Sequence, residues 1–157
     1  GGNKLTMRGS RHGLYLPLDW WAGNGPVVAC EGGSDTAALL TLGLSAIGRP
    51  SNIGGVNMLI GALRDCDRPI IILGERDRKP DRVGAHKQCK SDCTGCSWCW
   101  PGLYGARVTA ERLRAALPAK QIIWRLPPHD AKDVREWLNT ESTAKASTFL
   151  RRLSSDN

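Results

Sequence analysis

Short apolar runs recur along the chain, and polar segments rich in glycine or proline separate them. Four of these runs have the length and the apolar content of buried strands. They cover residues 27–30, 44–47, 70–73 and 121–126. The third run is an uninterrupted Ile-Ile-Ile-Leu, which is typical of a strand at the centre of a parallel sheet.

Residues with helical spacing follow each predicted strand. The predicted helices are a segment capped by Ser34 or Asp35 that runs to residue 42, then 56–63, 106–117, and 131–138 with Asp130 as its cap. Strands that alternate with helices predict an α/β fold, with a parallel sheet of about four strands and helices on both faces. Residues 13–17 add a short edge strand, which Pro17 ends.

These elements fit one domain at residues 13–138, because a chain of 157 residues can enclose a single core. Residues 1–12 are polar and glycine-rich, and we expect a flexible N-terminal segment there. A cysteine-rich loop insertion interrupts the domain at 84–105. Residues 139–157 are predicted to form a C-terminal tail, in which 149–153 are either a frayed end or a docking segment for a partner.

The charge balance is basic, with 22 Lys and Arg against 15 Asp and Glu and a formal net charge of +7. Such a balance favours a polyanionic partner, because Lys and Arg release counterions when they bind phosphate. No apolar run approaches the ~18–20 residues needed to cross a bilayer, so we expect no membrane partner. No signal peptide is visible, and we expect a cytoplasmic protein.

Carboxylates follow the first and third predicted strands. Glu31 and Asp35 come after residues 27–30, and Glu75, Asp77 and Asp81 come after 70–73. The loops at the carboxyl ends of parallel strands line the usual ligand crevice. Carboxylate oxygens are the ligands that Mg²⁺ prefers in proteins. The sequence therefore predicts an acidic metal site on a basic protein, and for any one of these acids the alternative is a solvated loop carboxylate or a helix cap.

The order of these motifs resembles the Toprim domain, which topoisomerases, bacterial-type primases, some nucleases and recombination proteins share. Glu31-Gly32 matches the Glu-Gly that follows the first core strand of the family. Glu75-Arg76-Asp77 matches its Asp-x-Asp, with Glu75 in place of the usual aspartate. Residues 13–17 and the later Lys132-Asp133 resemble primase-like members in particular.

The resemblance implies a Rossmann-like Toprim fold and a function in nucleotidyl transfer on DNA or RNA. Glu31 would be the general acid or base, Glu75 and Asp77 would hold Mg²⁺ or Mn²⁺, and Asp35 and Asp81 would be outer or second-ion ligands. Nucleotides would be substrates, and a helicase or other replication domains would be partners. The alternatives are a Toprim nuclease, a catalytically decayed nucleic-acid-binding module, and an unrelated nucleotide-binding fold.

Basic residues surround the acidic segment. The candidates for binding phosphate or nucleic acid are Arg76, Arg78, Lys79, Arg49 and Lys132, with Arg82 beside them. Arginine and lysine side chains of this kind either clamp a triphosphate or a nucleic-acid backbone, or pair with the neighbouring acids.

Four cysteines crowd into eleven residues, at Cys89, Cys93, Cys96 and Cys99. One interpretation is a structural Zn²⁺ held by four thiolates, with His86 as a substitute for one sulfur. The alternatives are an iron–sulfur cluster, and reduced thiols or disulfides without a metal. The nearby Trp98, Trp100 and Tyr104 either cover a metal knuckle or stack on exposed bases. Cys30 and Cys66 lie in apolar surroundings and are predicted to be packed thiols.

Overall fold

A four-stranded parallel sheet forms the centre of the molecule. The computed structural model describes residues 12–82, 89, 93–141 and 145–155. The strands are β1 (Val27–Glu31), β2 (Ser45–Arg49), β3 (Ile70–Leu73) and β4 (Ile122–Arg125), in the spatial order β2-β1-β3-β4. Every pairing is parallel, which confirms the predicted α/β class and the parallel sheet.

Helices cover both faces of this sheet. They are α1 (Gly32–Thr41), α2 (Val56–Leu63), α3 (Pro101–Ala116), α4 (Val134–Thr140) and α5 (Ala146–Ser155), with a 3₁₀ turn at Pro80–Arg82. None of these helices has the length and apolarity that would let it cross a lipid bilayer, as far as the chain is described.

Alternation along the strands divides the buried residues into two layers, because successive strand side chains point to opposite faces. Val27 and Ala29 of β1 pack with the apolar sides of α2 and α3. Val28 and Cys30 pack instead with α1, α4 and α5. The sheet is thus buried on both faces, which explains why β1 and β3 consist almost wholly of apolar residues.

The C-terminal segment is part of the core, so the prediction of a frayed end at 149–153 was wrong. Phe149 and Leu153 of α5 are 0% and 2% exposed. The Phe149 ring lies 5.0 Å from the ring of Trp137 in α4, centroid to centroid. The apolar residues of this short basic stretch all lie on one side of a helix, and that side covers the second layer of the sheet.

Several predicted boundaries differ from the structure. Helix α1 begins directly after Glu31 with no side-chain cap, and neither Ser34 nor Asp35 caps it. Helix α3 begins at Pro101, inside the predicted insertion, because proline suits the first helical position. Asp133 caps α4, where Asp130 was predicted. Strand β2 extends to residue 49, two residues beyond the predicted end.

The predicted edge strand at 13–17 is reduced to a single antiparallel bridge between Tyr15 and Gly48. Tyr15 N–H donates to the Gly48 carbonyl at 2.8 Å, and Gly48 N–H donates back at 2.9 Å. The predicted flexible segment lies outside the described residues except for His12, and so does His86.

Close approach of α3 to the loop after β2 requires glycine at position 105. A Cβ there would lie 2.5 Å from the Asn52 carbonyl oxygen and 2.8 Å from its carbonyl carbon. We expect Gly105→Ala to lower the free energy of unfolding by about 1–3 kcal/mol in urea denaturation. Gly61→Ala in α2 is the matched control, because a Cβ there meets nothing within 4 Å. This control should gain roughly 0.5–1 kcal/mol, and equal effects of the two changes would contradict the prediction.

Candidate functional site at the carboxyl ends of the strands

The loops that follow β1 and β3 lie side by side where the strand order reverses, and the space between them is named the crevice. The chain leaves β1 toward β2 on one side and later returns to β3 on the other side of β1. In open α/β sheets, ligands bind outside the carboxyl ends of the strands at such a reversal. Glu31 ends β1, and Glu75 and Asp77 follow β3, so both predicted acidic motifs lie at this position.

Glu31 is held at the junction of β1 and α1. The next residue, Gly32, has a φ of +73°, a left-handed conformation that favours glycine, and the Glu-Gly motif follows from this turn. The backbone N–H of Asn52 donates a hydrogen bond to the Glu31 carboxylate. In the sheet, Glu31 is paired in register with Arg49 of β2.

Arg49, a predicted candidate for phosphate contact, is completely buried. It is 0% exposed. Its guanidinium extends from β2 past β1 and donates to the Leu73 carbonyl at the end of β3, at 3.1 Å. It also donates to the Asn52 carbonyl and to the Thr109 hydroxyl, the latter at 3.2 Å. Arg49 is therefore an internal positive charge under the acidic crevice.

The two acids after β3 already have partners within the chain. The Glu75 carboxylate lies 3.7 Å from the ammonium of Lys132, so Lys132 pairs with an acid here. The Asp77 carboxylate accepts a hydrogen bond of 2.8 Å from the backbone N–H of Gly102, in the first turn of α3. Asp77 thereby connects the acidic loop, residues 75–82, to the N-terminus of this helix, where a negative charge is stabilised.

Burial and electrostatic repulsion raise the pKa of the two glutamates in the crevice. Burial is the main cause for Glu31, whose pKa is raised although Arg49 opposes the shift. Burial, followed by the charge of Glu31, raises the pKa of Glu75 to about 7. Asp77 repels both groups. The two glutamates therefore share one electrostatic environment, and a cation placed among them would favour their ionised forms.

Asp35 contacts a helix end at the rim of this site. It is 4% exposed, and its carboxylate accepts a 3.4 Å hydrogen bond from the backbone N–H of Val134 in α4. Burial, and then the charge of Asp133, raises the pKa of Asp35 to about 6. Asp35 thus has a contact that its predicted role as an outer metal ligand did not include. Asp81, the other predicted outer ligand, lies in the 3₁₀ turn.

The raised pKa of Asp35 predicts a pH-dependent stability. Between about pH 4 and pH 6 the unfolded chain ionises this carboxyl before the folded chain does, so stability falls as pH rises. We expect Asp35→Asn to reduce this loss, measured from pH 4 to pH 7 by urea denaturation, by roughly 2 kcal/mol. Asp67→Asn is the control, because the Asp67 side chain is 98% exposed. Identical pH profiles for wild type and Asp35→Asn would contradict the prediction.

The predicted phosphate-binding residues lie in different parts of the structure and have different contacts. The guanidinium of Arg76 donates to the Pro127 carbonyl at 3.2 Å, so it braces the loop after β4. Arg78 is exposed and lies 5.8 Å from the ring centre of Trp100, and Arg82 lies 5.3 Å from that of Trp98. Lys79 is joined to the cysteine segment through its backbone. Arg78 and Arg82 therefore lie at the surface beside the aromatic rings of the cysteine segment.

The four clustered cysteines come together beside the acidic loop. The Sγ atoms of Cys89 and Cys99 lie 3.5 Å apart, and those of Cys96 and Cys99 lie 3.3 Å apart. The structure describes all four, and none of them forms a disulfide. Their sulfur atoms all lie within 4.8 Å of one another, so the group can hold a single metal ion such as zinc. Among the described side chains, this is the only group of three or more candidate ligands spaced so closely.

Backbone amides support these sulfurs as ligands. Cys96 N–H donates to the Cys93 sulfur and Cys99 N–H donates to the Cys96 sulfur, each at 3.4 Å. The amide of Cys99 is the main reason why the pKa of Cys96 falls to about 6. A thiol with a low pKa is mostly thiolate at neutral pH, which is the form that binds metals. Cys30 and Cys66 are buried elsewhere as predicted, and burial raises the pKa of Cys30 to about 12.

Sequence reasoning missed two polar residues that organise the site. Asn52 connects three parts of it, because it contacts Glu31 and Arg49 through its backbone and donates from its side chain to the Pro101 carbonyl at 3.0 Å. Thr109 is a fully buried partner of Arg49. The available signals were weak: Asn52 lies in a turn sequence, and Thr109 is a lone hydroxyl on the apolar side of a helix.

Comparisons of the chain with protein-family models, with curated proteins and with solved structures found no match. The resemblance to the Toprim family therefore stays a prediction from the sequence motifs.

Proposed function

We propose that this chain is a Toprim-type catalytic domain of the primase-like kind, which transfers nucleotides to nucleic acid with the help of Mg²⁺. One observation carries the proposal. Glu31 from the end of β1 and Glu75 and Asp77 from the loop after β3 meet at the reversal of strand order, where α/β sheets bind ligands.

The donor chemistry of this crevice fits a hard divalent cation. Glu75 and Asp77 offer carboxylate oxygens, the ligands that Mg²⁺ and Mn²⁺ prefer. Lys132 now neutralises part of the same negative charge, at 3.7 Å from Glu75, so a cation would compete with its ammonium for that carboxylate. When bound, such an ion stabilises charge on the transferring phosphoryl group and orients the attacking oxygen.

The chain itself would supply the proton transfer and the positioning. Glu31 faces the crevice from a fixed backbone position, held by the Asn52 amide and balanced by the buried charge of Arg49. It would accept a proton from an attacking hydroxyl or return one to a leaving group. The exposed Arg78 and Arg82, together with the net charge of +7, would attract the polyanionic substrate.

A second candidate is a nucleic-acid-binding module without catalysis. It is favoured by the partners of the acids, because Asp77 binds the N-terminus of α3 and Glu75 pairs with Lys132. The carboxylates of Glu31, Glu75 and Asp77 are also spaced more widely than the cysteine sulfurs. In this alternative the acids are structural, and the exposed basic residues alone bind nucleic acid.

An assay with labelled single-stranded DNA or RNA separates these functions. The protein is incubated with Mg²⁺ or Mn²⁺, with and without nucleoside triphosphates, and the products are resolved by length. We expect products that require nucleotides and metal, without degradation of the template. Shortened strands in the absence of nucleotides would identify a nuclease instead, and binding without any product would overturn the catalytic proposal.

A further inference from the structure

We propose that Cys89, Cys93, Cys96 and Cys99 bind one Zn²⁺, and that this ion holds the acidic loop after β3 in place against α3. The inference concerns a second site, next to the acidic crevice. It does not depend on whether that crevice is catalytic, because the metal and the loop position can both be measured without a substrate.

The arrangement of the sulfurs favours a single ion over a cluster. A tetrahedral zinc with bonds of about 2.3 Å places its sulfurs about 3.8 Å from one another. The sulfur pairs Cys89–Cys99 and Cys96–Cys99 lie at 3.5 and 3.3 Å, and all four sulfurs lie within 4.8 Å. An iron–sulfur cluster needs a wider arrangement, because its four cysteines bind different iron atoms around inorganic sulfide.

Local backbone geometry also suits a thiolate metal site. Cys93-x-x-Cys96 and Cys96-x-x-Cys99 each fold so that the later amide donates to the earlier sulfur. Such bonds lower the charge on a thiolate while it remains a metal ligand. Four cysteines are one of the usual ligand sets of structural zinc sites, and each thiol loses its proton to solvent as the metal binds.

Two hydrogen bonds join the knuckle, which is the segment with the four cysteines, to the acidic loop. Lys79 N–H donates to the Cys99 carbonyl at 2.8 Å, and Gly102 N–H donates to the Asp77 carboxylate at 2.8 Å. Cys99 precedes Gly102 by three residues, so a metal bound at Cys99 limits the position of both bonds. The fit is close, since a Cβ on Gly102 would lie 2.7 Å from the Glu75 carbonyl oxygen.

Besides the sulfurs, the described part of the cysteine segment is held mainly by short-range hydrogen bonds, such as those from Trp100 to the carbonyls of Cys96 and Cys93. Residues 93–100 form turns without a helix or strand, and Trp98 is 43% exposed. Segments with few buried apolar contacts open easily unless a cross-link holds them. The loss of the metal should therefore release the acidic loop while the sheet remains folded.

The first part of the test is metal content. Protein purified under reducing conditions is analysed for zinc and iron, and we expect about one zinc per chain. Cys96→Ser should lose at least half of this zinc, whereas Cys66→Ser should keep it, because Cys66 is buried in the core away from the quartet. Protein without zinc, or with iron and visible absorbance, would overturn the assignment.

The second part uses the wild-type protein, so it does not depend on whether a variant folds. Hydrogen exchange is followed by mass spectrometry before and after zinc is removed with a chelator. We expect exchange on the order of tenfold faster in peptides covering 76–82 and 100–104, and unchanged exchange in 27–31 and 70–73. Zinc removal that leaves 76–82 unchanged would overturn the positioning role. An inactive protein that passes both tests would contradict only the proposed catalytic function.

Discussion

Replacing Arg49 with methionine is expected to lower the free energy of unfolding by about 3–5 kcal/mol. The side chain is 0% exposed, and its guanidinium serves carbonyls at the ends of two segments, Leu73 and Asn52. Methionine fills a similar volume but leaves those carbonyls without a donor. It also removes the positive charge that balances Glu31 and Glu75. A buried acid without its partner is costly, because the interior cannot replace the lost hydration.

Two further variants test whether the effect depends on charge and on position. Arg112→Met is the control for the loss of an arginine, since Arg112 is exposed and its contact with Asn57 is 3.5 Å long. We expect this control to stay within about 0.5 kcal/mol of wild type in urea denaturation. Arg49→Lys keeps the charge but not the fork of donors, and should lie between the two. A loss below about 1 kcal/mol for Arg49→Met would show that the buried charge is not needed.

The second large effect concerns catalysis. If the proposed function is correct, Glu31→Gln should reduce the rate of nucleotide transfer or strand cleavage by about 10²–10⁴-fold. Glutamine has nearly the same shape and can still accept the hydrogen bond from Asn52. It cannot take up a proton from an attacking hydroxyl. Substrate affinity should change much less than the rate, because the exposed arginines that attract the polyanion are untouched.

Glu111→Gln is the matched control for this variant. Glu111 lies on the exposed side of α3, and its side chain is 59% exposed. Initial rates with labelled single strands and saturating Mg²⁺ should be unchanged in the control. Circular dichroism should show that both variants are folded. A Glu31→Gln protein that retains the wild-type rate would exclude Glu31 as the acid or base, and would favour the binding module.

The strands were the most predictable part of this protein. A strand buried on both faces needs apolar residues at every position, so Ile70–Leu73 and its neighbours are visible as unbroken runs. Glu31 and Glu75 were also predictable as neighbours, because carboxyl ends of parallel strands share one edge. The helix ends were less predictable, since Asp130, Asp133, Ser34 and Asp35 are all plausible caps in a local reading. Packing selected Asp133.

The local sequence predicted α5 less well than it predicted the strands. Phe149 and Leu153 belong to a short basic segment in which good helix formers alternate with Ser and Thr. Their burial against Trp137 stabilises α5, and that surface exists only when the sheet and α4 are assembled. Helices of this length are marginal in isolation, so tertiary contact decides whether they form.

Residue order alone was enough to predict a parallel α/β sheet, an acidic edge and a group of thiols close in the chain, because these features depend on local composition and on strand direction. The folded structure decided which charged groups face one another. In that structure Arg49 is buried next to Glu31, Lys132 pairs with Glu75, and Asp77 accepts a hydrogen bond from the first turn of α3. Such pairings join residues far apart in the chain. They depend on how the loops are arranged at the edge of the sheet, and a short stretch of sequence does not specify that arrangement.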